Sequence, residues 1–119
     1  MARGVTSAFP KAARVSRRGD YLAIQRGGRR WRSSSFVVIQ RTSPTGRTRL
    51  GVTVSRRIGN AVIRNRVKRL VREVFRTSRR DFTPARDIVV IARAGADKLE
   101  YAHVVSELGA VFHHPGAID

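Results

Sequence analysis

The sequence predicts a single-domain α+β protein, an α-β sandwich in which helices pack against a small mixed sheet. The chain has 119 residues, a length typical of one domain with one hydrophobic core. Short runs rich in β-branched residues alternate with longer segments whose apolar residues recur at the helical period. These segments follow the order α-β-β-α-β-α, which favours helices that cover a sheet.

The first predicted element is a short helix that follows a basic N-terminal segment. Residues 1–14 contain Pro10 and show no hydrophobic period, so we expect a mobile arm. A helix is predicted around Tyr21–Gln25, and Gly27 and Gly28 are expected to end it. The sequence RRWRSSS that follows is predicted to be a basic connector.

Two strands are predicted next, from two different patterns. SFVVIQR is an apolar run rich in β-branched residues, whereas RLGVTVS alternates with the period of a half-buried strand. TSPTG, between them, contains the turn residues Pro44 and Gly46. We therefore expect the two strands to pair as a β-hairpin.

The longest predicted helix follows Gly59, with Asn60 as its N-cap. We expect it to extend to Thr77–Arg79 and residues 82–84 to form a loop. The apolar residues share one side of this helix and are Ile63, Val67, Leu70, Val71, Val74 and Phe75. The polar side carries Asn65, Lys68, Arg69, Arg72 and Arg76.

A third strand and a last helix complete the predicted domain, residues 15–114, which is followed by a tail at 115–119. DIVVIAR has four consecutive apolar residues, which indicates burial on both faces. AGAD is a predicted turn with Asp97 as a helix cap, and KLEYAHVVSELGAVF is the predicted helix. Its predicted apolar side consists of Tyr101, Val104, Val105, Leu108, Val111 and Phe112.

The charge of the chain is strongly positive. Lys and Arg number 25 against 8 Asp and Glu, a formal net charge of +17. Such an excess opposes compaction through self-repulsion and favours binding to a polyanion. From Arg64 to Arg76, six basic residues accompany one acidic residue, and Arg56 and Arg57 precede them. A row of this kind can lie along a phosphate backbone and displace its counterions.

The sequence shows no constellation of residues that would carry out catalysis or bind a metal. Cysteine is absent, which excludes disulfides, Cys-ligated zinc and thiol catalysis. The acidic residues are dispersed, so we expect no catalytic residue and no metal site. No apolar run approaches the ~20 residues of a membrane span, and we expect a cytoplasmic protein. Two alternatives remain: another nucleic-acid-binding protein, such as a ribosomal or helix-turn-helix protein, and an autonomous nuclease that uses His103 or Asp87.

The segment VSRRIGNAVIRNRVKRLVREVFR, Val54 to Arg76, closely resembles the signature of the bacterial ribonuclease P protein component, including its RNR core. DYLAIQRGG, SFVVI and RDIVVIAR resemble that family's first helix, first strand and late strand. The resemblance implies a left-handed crossover at the signature helix. It also implies endonucleolytic removal of the 5′ leader from precursor tRNA, in which an RNA subunit with bound magnesium is the catalyst.

The resemblance further implies two groups of binding residues and two partners, the catalytic RNA and precursor tRNA. No membrane is expected, and no protein partner is expected to be required. The RNA subunit would contact Arg56, Arg57, Asn60, Arg64, Asn65, Arg66, Lys68, Arg69, Arg72 and Arg76. The leader would contact Tyr21, Gln25, Phe36, Val37 and Ile39. Strand alternation leaves core burial as the alternative for Phe36, and Gln25 and Ile39 stand where the family often has aromatic residues.

Overall fold

Three helices and a four-stranded sheet form the described part of the chain, residues 13–78 and 84–112 of a computed structural model. A short 3-10 helix, Ala96–Lys98, precedes the last helix. The predicted α+β class is confirmed, with one strand more than the sequence indicated. In chain order the elements are α1 (Arg18–Gly27), β1 (Arg29–Arg32), β2 (Phe36–Thr42), β3 (Arg49–Thr53), α2 (Ala61–Ser78), β4 (Arg86–Ala92) and α3 (Tyr101–Phe112).

The sheet has the strand order β1-β2-β4-β3, so the predicted hairpin of β2 and β3 is wrong. β4 lies between them, antiparallel to β2 and parallel to β3. The turn residues after β2 do reverse the chain, but the uninterrupted apolar run of β4 is best buried at the centre of the sheet. Parallel neighbours need a crossover connection, and α2 supplies the one from β3 to β4. The left-handedness of this crossover stays a prediction.

The predicted basic connector is in fact a strand. Arg29–Arg32 forms β1, which pairs antiparallel with β2 at the edge of the described sheet. Of its four side chains only Trp31 packs against the main core. A charged edge strand of this kind resists pairing with other chains. Its composition carried no apolar alternation, and this is why the sequence pattern did not reveal it.

The two faces of the sheet are covered by different helices. β2, β3 and β4 direct alternate residues to opposite faces, as strand geometry requires. One face packs against α2 and α3 through Phe36, Val38, Leu50, Val52, Ile88 and Val90. The other face is covered by α1, where Ile24 packs with Val15, Ile39 and Val89. We call this second face the cleft face, because α1 covers only part of it.

α2 begins and packs as the sequence predicts. The Ile63 amide donates to Asn60 Oδ1 at 3.0 Å, which confirms Asn60 as the N-cap. The helix is described as far as Ser78, and residues 79–83, which include Arg79 of the predicted end and most of the predicted loop, lie outside the described part of the chain. Phe75 meets Phe112 of α3 edge to face, with ring centroids 6.0 Å apart. Such aromatic pairs stabilise helix packing beyond the area they bury.

α3 has a narrower buried side than the sequence predicted. Tyr101 and Val105 are 41% and 40% exposed, so neither belongs to the core. The helix packs through Val104, Leu108, Val111 and Phe112. Asp97 is not its cap, because Asp97 lies within the preceding 3-10 helix, whose N-cap is Gly95. Gly95 has φ 99°, a left-handed conformation that glycine adopts without strain.

Two adjacent charged residues of β4 are buried on opposite faces. Arg86 donates to Gln40 Oε1 at 2.7 Å and to the Phe112 carbonyl oxygen at 3.1 Å, so it satisfies the C-terminal end of α3. Asp87 is fully buried under the cleft face and accepts bonds from Arg41 and Arg49 at 3.1 and 2.8 Å. Both residues therefore hold the fold together.

The predicted mobile arm ends earlier than expected. Ala13 is only 2% exposed, and Arg14 forms a β-bridge with Leu50 of β3. The Val15 amide then donates to the Leu50 carbonyl oxygen at 3.0 Å. Residues 13 and 14 are thus part of the fold, whereas residues 1–12 and the predicted tail at 115–119 lie outside the described residues.

Candidate nucleic-acid interface

The outer side of α2 presents basic residues to solvent. Arg69 and Asn65 are exposed and Lys68 is half-buried. Arg56 and Arg57 are exposed in the turn before the helix. Among the described residues, neither Arg69 nor Lys68 forms an ion pair. We call Asn65, Lys68 and Arg69 the basic ridge.

Two arginines of the RNR core instead bind their own chain. Arg64 Nη1 donates to the Gly59 carbonyl oxygen at 3.0 Å. Arg66 Nη2 donates to the Leu99 carbonyl oxygen at 2.7 Å and lies 3.7 Å from Glu100 Oε1. Asn65, between them in sequence, faces solvent. The three residues were predicted as one group, but the structure gives the two arginines packing contacts that sequence spacing did not indicate.

Arg76, at the far end of the same helix, forms the intrahelical ion pair that its spacing from Glu73 allows. Its Nη2 atom lies 2.5 Å from Glu73 Oε2. The hydrogen bond from Arg76 lowers the pKa of Glu73 below its ordinary value. Part of the Arg76 charge is therefore balanced locally, and the residue offers less to an external anion than Arg69 does.

A row of side chains crosses the cleft face at right angles to the strands. Arg32 pairs with Val37, Val37 with Ile91, and Ile91 with Thr53, so one residue from each strand lies in the row. Arg32 and Thr53 are exposed, and Val37 and Ile91 are half-buried. With strands about 4.8 Å apart, the row spans roughly 14 Å. We call these four residues the cleft row.

Tyr21 of α1 lies at the β3 end of the cleft row. Its ring rests directly on Gly51, where a Cβ atom would come within 2.6 Å of the Tyr21 hydroxyl oxygen. Burial raises the pKa of Tyr21, against the lowering effects of a hydrogen bond with Thr53 and of the nearby Arg72 charge. The phenol is therefore neutral at neutral pH, and it connects the cleft with the polar side of α2.

The remaining predicted leader contacts separate into one half-buried residue and two fully buried residues. Gln25 lines, with Tyr21 and Thr53, a depression of about 490 Å³ beside α1. Phe36 is fully buried beneath α2 and α3, so its alternative, a place in the core, is correct. Ile39 is fully buried beneath α1. The structure leaves neither of these two side chains open to a leader.

Three residues of the cleft row, Arg32, Thr53 and Ile91, were missed in the sequence. Thr53 and Ile91 come from strands that are far apart in the chain and meet only through the pairing of β3 with β4. No local motif marks them. The antiparallel register of β2 and β4 places Ile91 beside Val37, and the parallel register of β3 and β4 places Thr53 beside Ile91.

A sequence profile of the ribonuclease P family matches residues 9–116, which include every element of the fold and both surfaces. The chain belongs to the ribonuclease P protein family. The resemblance noted at Val54–Arg76 is thereby confirmed. As a ribonuclease P protein component, the chain is an RNA-binding subunit of an endoribonuclease complex and acts in tRNA processing.

Relatives and solved structures of the ribonuclease P family match over most of their length. The ribonuclease P protein component of Desulforapulum autotrophicum is 44% identical over 104 residues, 87% of this chain and 89% of that protein. The structure of the Staphylococcus aureus RNase P protein has a TM-score of 0.81 at 32% identity and covers 92% of this chain and 100% of that chain. The Thermotoga maritima RNase P protein gives 0.76 at 33%, with 84% and 94% covered.

Neither a metal centre nor a membrane span is found in the described part of this ribonuclease P protein. Within residues 13–78 and 84–112, no three His, Cys, Asp or Glu side chains come together in a way that could hold a metal ion. No described helix has both the length and the apolar character that crossing a membrane requires.

Proposed function

We propose that this chain binds the RNA subunit of ribonuclease P through α2 and holds the 5′ leader of precursor tRNA on the cleft face. The RNA subunit, with its magnesium, supplies the catalysis. The single observation that carries the proposal is that two chemically different surfaces lie on either side of β3, where Gly51 lies under the Tyr21 ring and Val52 packs in the core beneath α2. One surface is cationic, and the other has a neutral, partly apolar middle formed by Val37 and Ile91.

The basic ridge suits a folded RNA with closely spaced phosphates. Lys68 and Arg69 keep their charges directed outward, without a carboxylate partner among the described residues. Such cations bind by displacing counterions from phosphates, so affinity falls as salt rises. Asn65 adds an amide that donates and accepts hydrogen bonds.

The cleft row suits a single strand whose bases are unpaired. Val37, Ile91 and the ring of Tyr21 offer apolar and aromatic contact, and Thr53 offers a hydroxyl. Stacking of a base on an aromatic ring contributes about 1–3 kcal/mol and depends little on base identity. One protein could therefore hold many different leaders.

The side chains that sequence reasoning offered for an autonomous nuclease have structural partners. Asp87 is fully buried between Arg41 and Arg49. His103 Nδ1 accepts a hydrogen bond from the Glu100 amide at the start of α3. These contacts support catalysis by the RNA subunit rather than by the protein. We expect the protein to act in the cytoplasm.

The test is to reconstitute the holoenzyme with Tyr21→Ala and to compare its affinity for precursor and mature tRNA. Tyr21→Ala should weaken binding of precursor by about 1–3 kcal/mol and leave mature tRNA unchanged. Tyr101→Ala, which removes an exposed ring from α3, is the matched control and should change neither affinity.

Cleavage of precursor tRNA at low magnesium tests whether the RNA subunit carries out catalysis and the protein assists it. We expect the RNA subunit alone to cleave slowly, addition of the protein to restore the rate, and the protein freed of RNA to cleave nothing. Equal cleavage with and without protein, or cleavage by RNA-free protein, would contradict the proposal.

A further inference from the structure

The edge strand β1 places two arginines on the cleft face. Arg30 pairs with Ile39 and Arg32 pairs with Val37. Directly opposed residues of neighbouring strands point to the same face, so both arginines share the face of Ile39 and Val37, whereas Arg29 points to the other. Both are exposed, and neither forms an ion pair with another described residue.

These arginines lie at the opposite end of the cleft row from Arg72. The β3 end is occupied by Tyr21 with Arg72 beside it, and the β1 end by Arg32. Val37 and Ile91 between them carry no charge. A strand of nucleic acid laid across the sheet would therefore meet cations at both ends and neutral contacts in the middle.

Nothing else in the described sheet lies beyond β1, so a bound strand could continue outward past Arg32. Arg32 belongs to the cleft row, and Arg30 lies two residues before it on the same face of β1. Their position, continuous with the cleft row, points to the same RNA strand as their ligand.

We propose that Arg30 and Arg32 bind phosphates of the leader where it leaves the cleft past β1. This inference rests on the proposed leader function and extends it. The tRNA-proximal part of the leader lies at Tyr21, beside α2, because α2 docks on the folded RNA. The 5′-terminal part lies at β1. Leaders long enough to reach β1 gain affinity there through phosphate contacts, whatever their base sequence.

The experiment measures holoenzyme affinity for precursor tRNAs whose leaders are lengthened one nucleotide at a time. Arg32→Ala is compared with Arg29→Ala, which removes the same charge from the same strand but on the other face. The parent and Arg29→Ala should both gain affinity once the leader passes a threshold length. Arg32→Ala should lose that gain, with affinity for long leaders reduced several-fold.

Salt dependence provides a second readout that a merely structural effect would not alter. For long leaders, Arg32→Ala should flatten the slope of log affinity against log salt by up to about 0.7, the value for one phosphate of a single strand. Arg32→Lys should restore most of the slope, since it keeps the charge. Short leaders should give equal slopes for all variants.

Three results would overturn the inference: equal losses for Arg32→Ala and Arg29→Ala at every length, a loss that is already complete with the shortest leaders, or unchanged slopes. Tyr21→Ala separates this failure from failure of the leader cleft itself. If Tyr21→Ala still weakens precursor binding selectively, only the β1 site is excluded. If neither Tyr21→Ala nor Arg32→Ala changes the affinity for precursor tRNA in a way that depends on the leader, both proposals fail.

Discussion

Arg66 Nη2 donates a 2.7 Å hydrogen bond to the main-chain oxygen of Leu99, while Nη1 donates to the oxygen of Asp97 at 3.3 Å. One guanidinium thereby joins the middle of α2 to the segment that leads into α3. This segment ends the 3-10 helix and exposes carbonyl groups that need donors. Arg66 lies in the RNR core that resembles the family signature, yet its visible contacts are within the protein.

The first prediction separates a structural arginine from an RNA-binding one on the same helix. Arg66→Ala should lower the free energy of unfolding by about 1–2 kcal/mol, because two carbonyl groups lose a charged donor. Arg69→Ala should leave stability within about 0.5 kcal/mol and should weaken RNA binding instead, flattening its salt dependence by up to about one unit. Urea denaturation and RNA titrations over a range of salt measure the two effects.

The prediction for this pair is contradicted if Arg66→Ala leaves the free energy of unfolding unchanged and flattens the salt dependence of RNA binding as much as Arg69→Ala does. In that case Arg66 would leave its carbonyl partners when RNA binds.

The second prediction concerns the buried carboxylate of Asp87. Asp87→Asn should lower the free energy of unfolding by about 3–5 kcal/mol, because Arg41 and Arg49, whose side chains are only 25% and 14% exposed, would lose the fully buried carboxylate that balances their charges. Asp20→Asn removes only one bond to Arg49 from a carboxylate that is 34% exposed, so its cost should stay near 1 kcal/mol or below. Denaturation midpoints of the two variants measure these losses of stability. Equal losses for Asp87→Asn and Asp20→Asn would contradict the prediction.

The third prediction tests whether Gly51 positions Tyr21. A methyl group at Gly51 must displace the Tyr21 ring, since its carbon would lie within 3 Å of three ring and hydroxyl atoms. Gly51→Ala should therefore reduce the preference for precursor over mature tRNA. In a Tyr21→Ala background the same change should have no further effect on that preference, because interacting residues are not additive. An undiminished effect in the double variant would mean that Gly51 acts by another route.

The fourth prediction is a pH dependence of stability at Glu107. Its Oε1 atom accepts bonds from Ser33 Oγ at 2.6 Å and from the Ser35 amide at 2.9 Å, which link α3 to the turn between β1 and β2. Burial would raise the pKa of Glu107, but these bonds outweigh it and lower the pKa below its ordinary value.

Because the folded-state pKa is lowered, the stabilisation by Glu107 is present above the ordinary Glu pKa of about 4.3 and is lost as pH falls through the folded value. Glu107→Gln should flatten the acid side of the stability curve and cost about 1 kcal/mol at neutral pH. Ser33→Ala should reproduce part of both changes. Urea denaturation from neutral to acid pH checks this, and parallel curves for Glu107→Gln and the parent would exclude it.

Much of the fold could be predicted because its signals are local. The N-cap at Asn60, the apolar side of α2 and the burial of β4 each depend on residues within a few positions of one another. Family membership could be predicted for the same reason, since the signature is one uninterrupted segment. The strand β1 could not be predicted, because charged edge residues have no apolar period to reveal them.

The sequence by itself determined the three α-helices and three of the four described strands, the helix that carries the positive charge and the kinship with ribonuclease P proteins. Only the tertiary structure decided which arginine faces solvent and which strand residues share a face. Arg66 and Arg69 are both basic residues of α2, yet Arg66 bonds to its own chain and Arg69 is exposed. Phe36 and Val37 are neighbours in one strand, yet Phe36 is fully buried and Val37 lies half-buried on the opposite face. The physical reason is that helix and strand periods are local, whereas strand register and helix docking depend on contacts between distant parts of the chain.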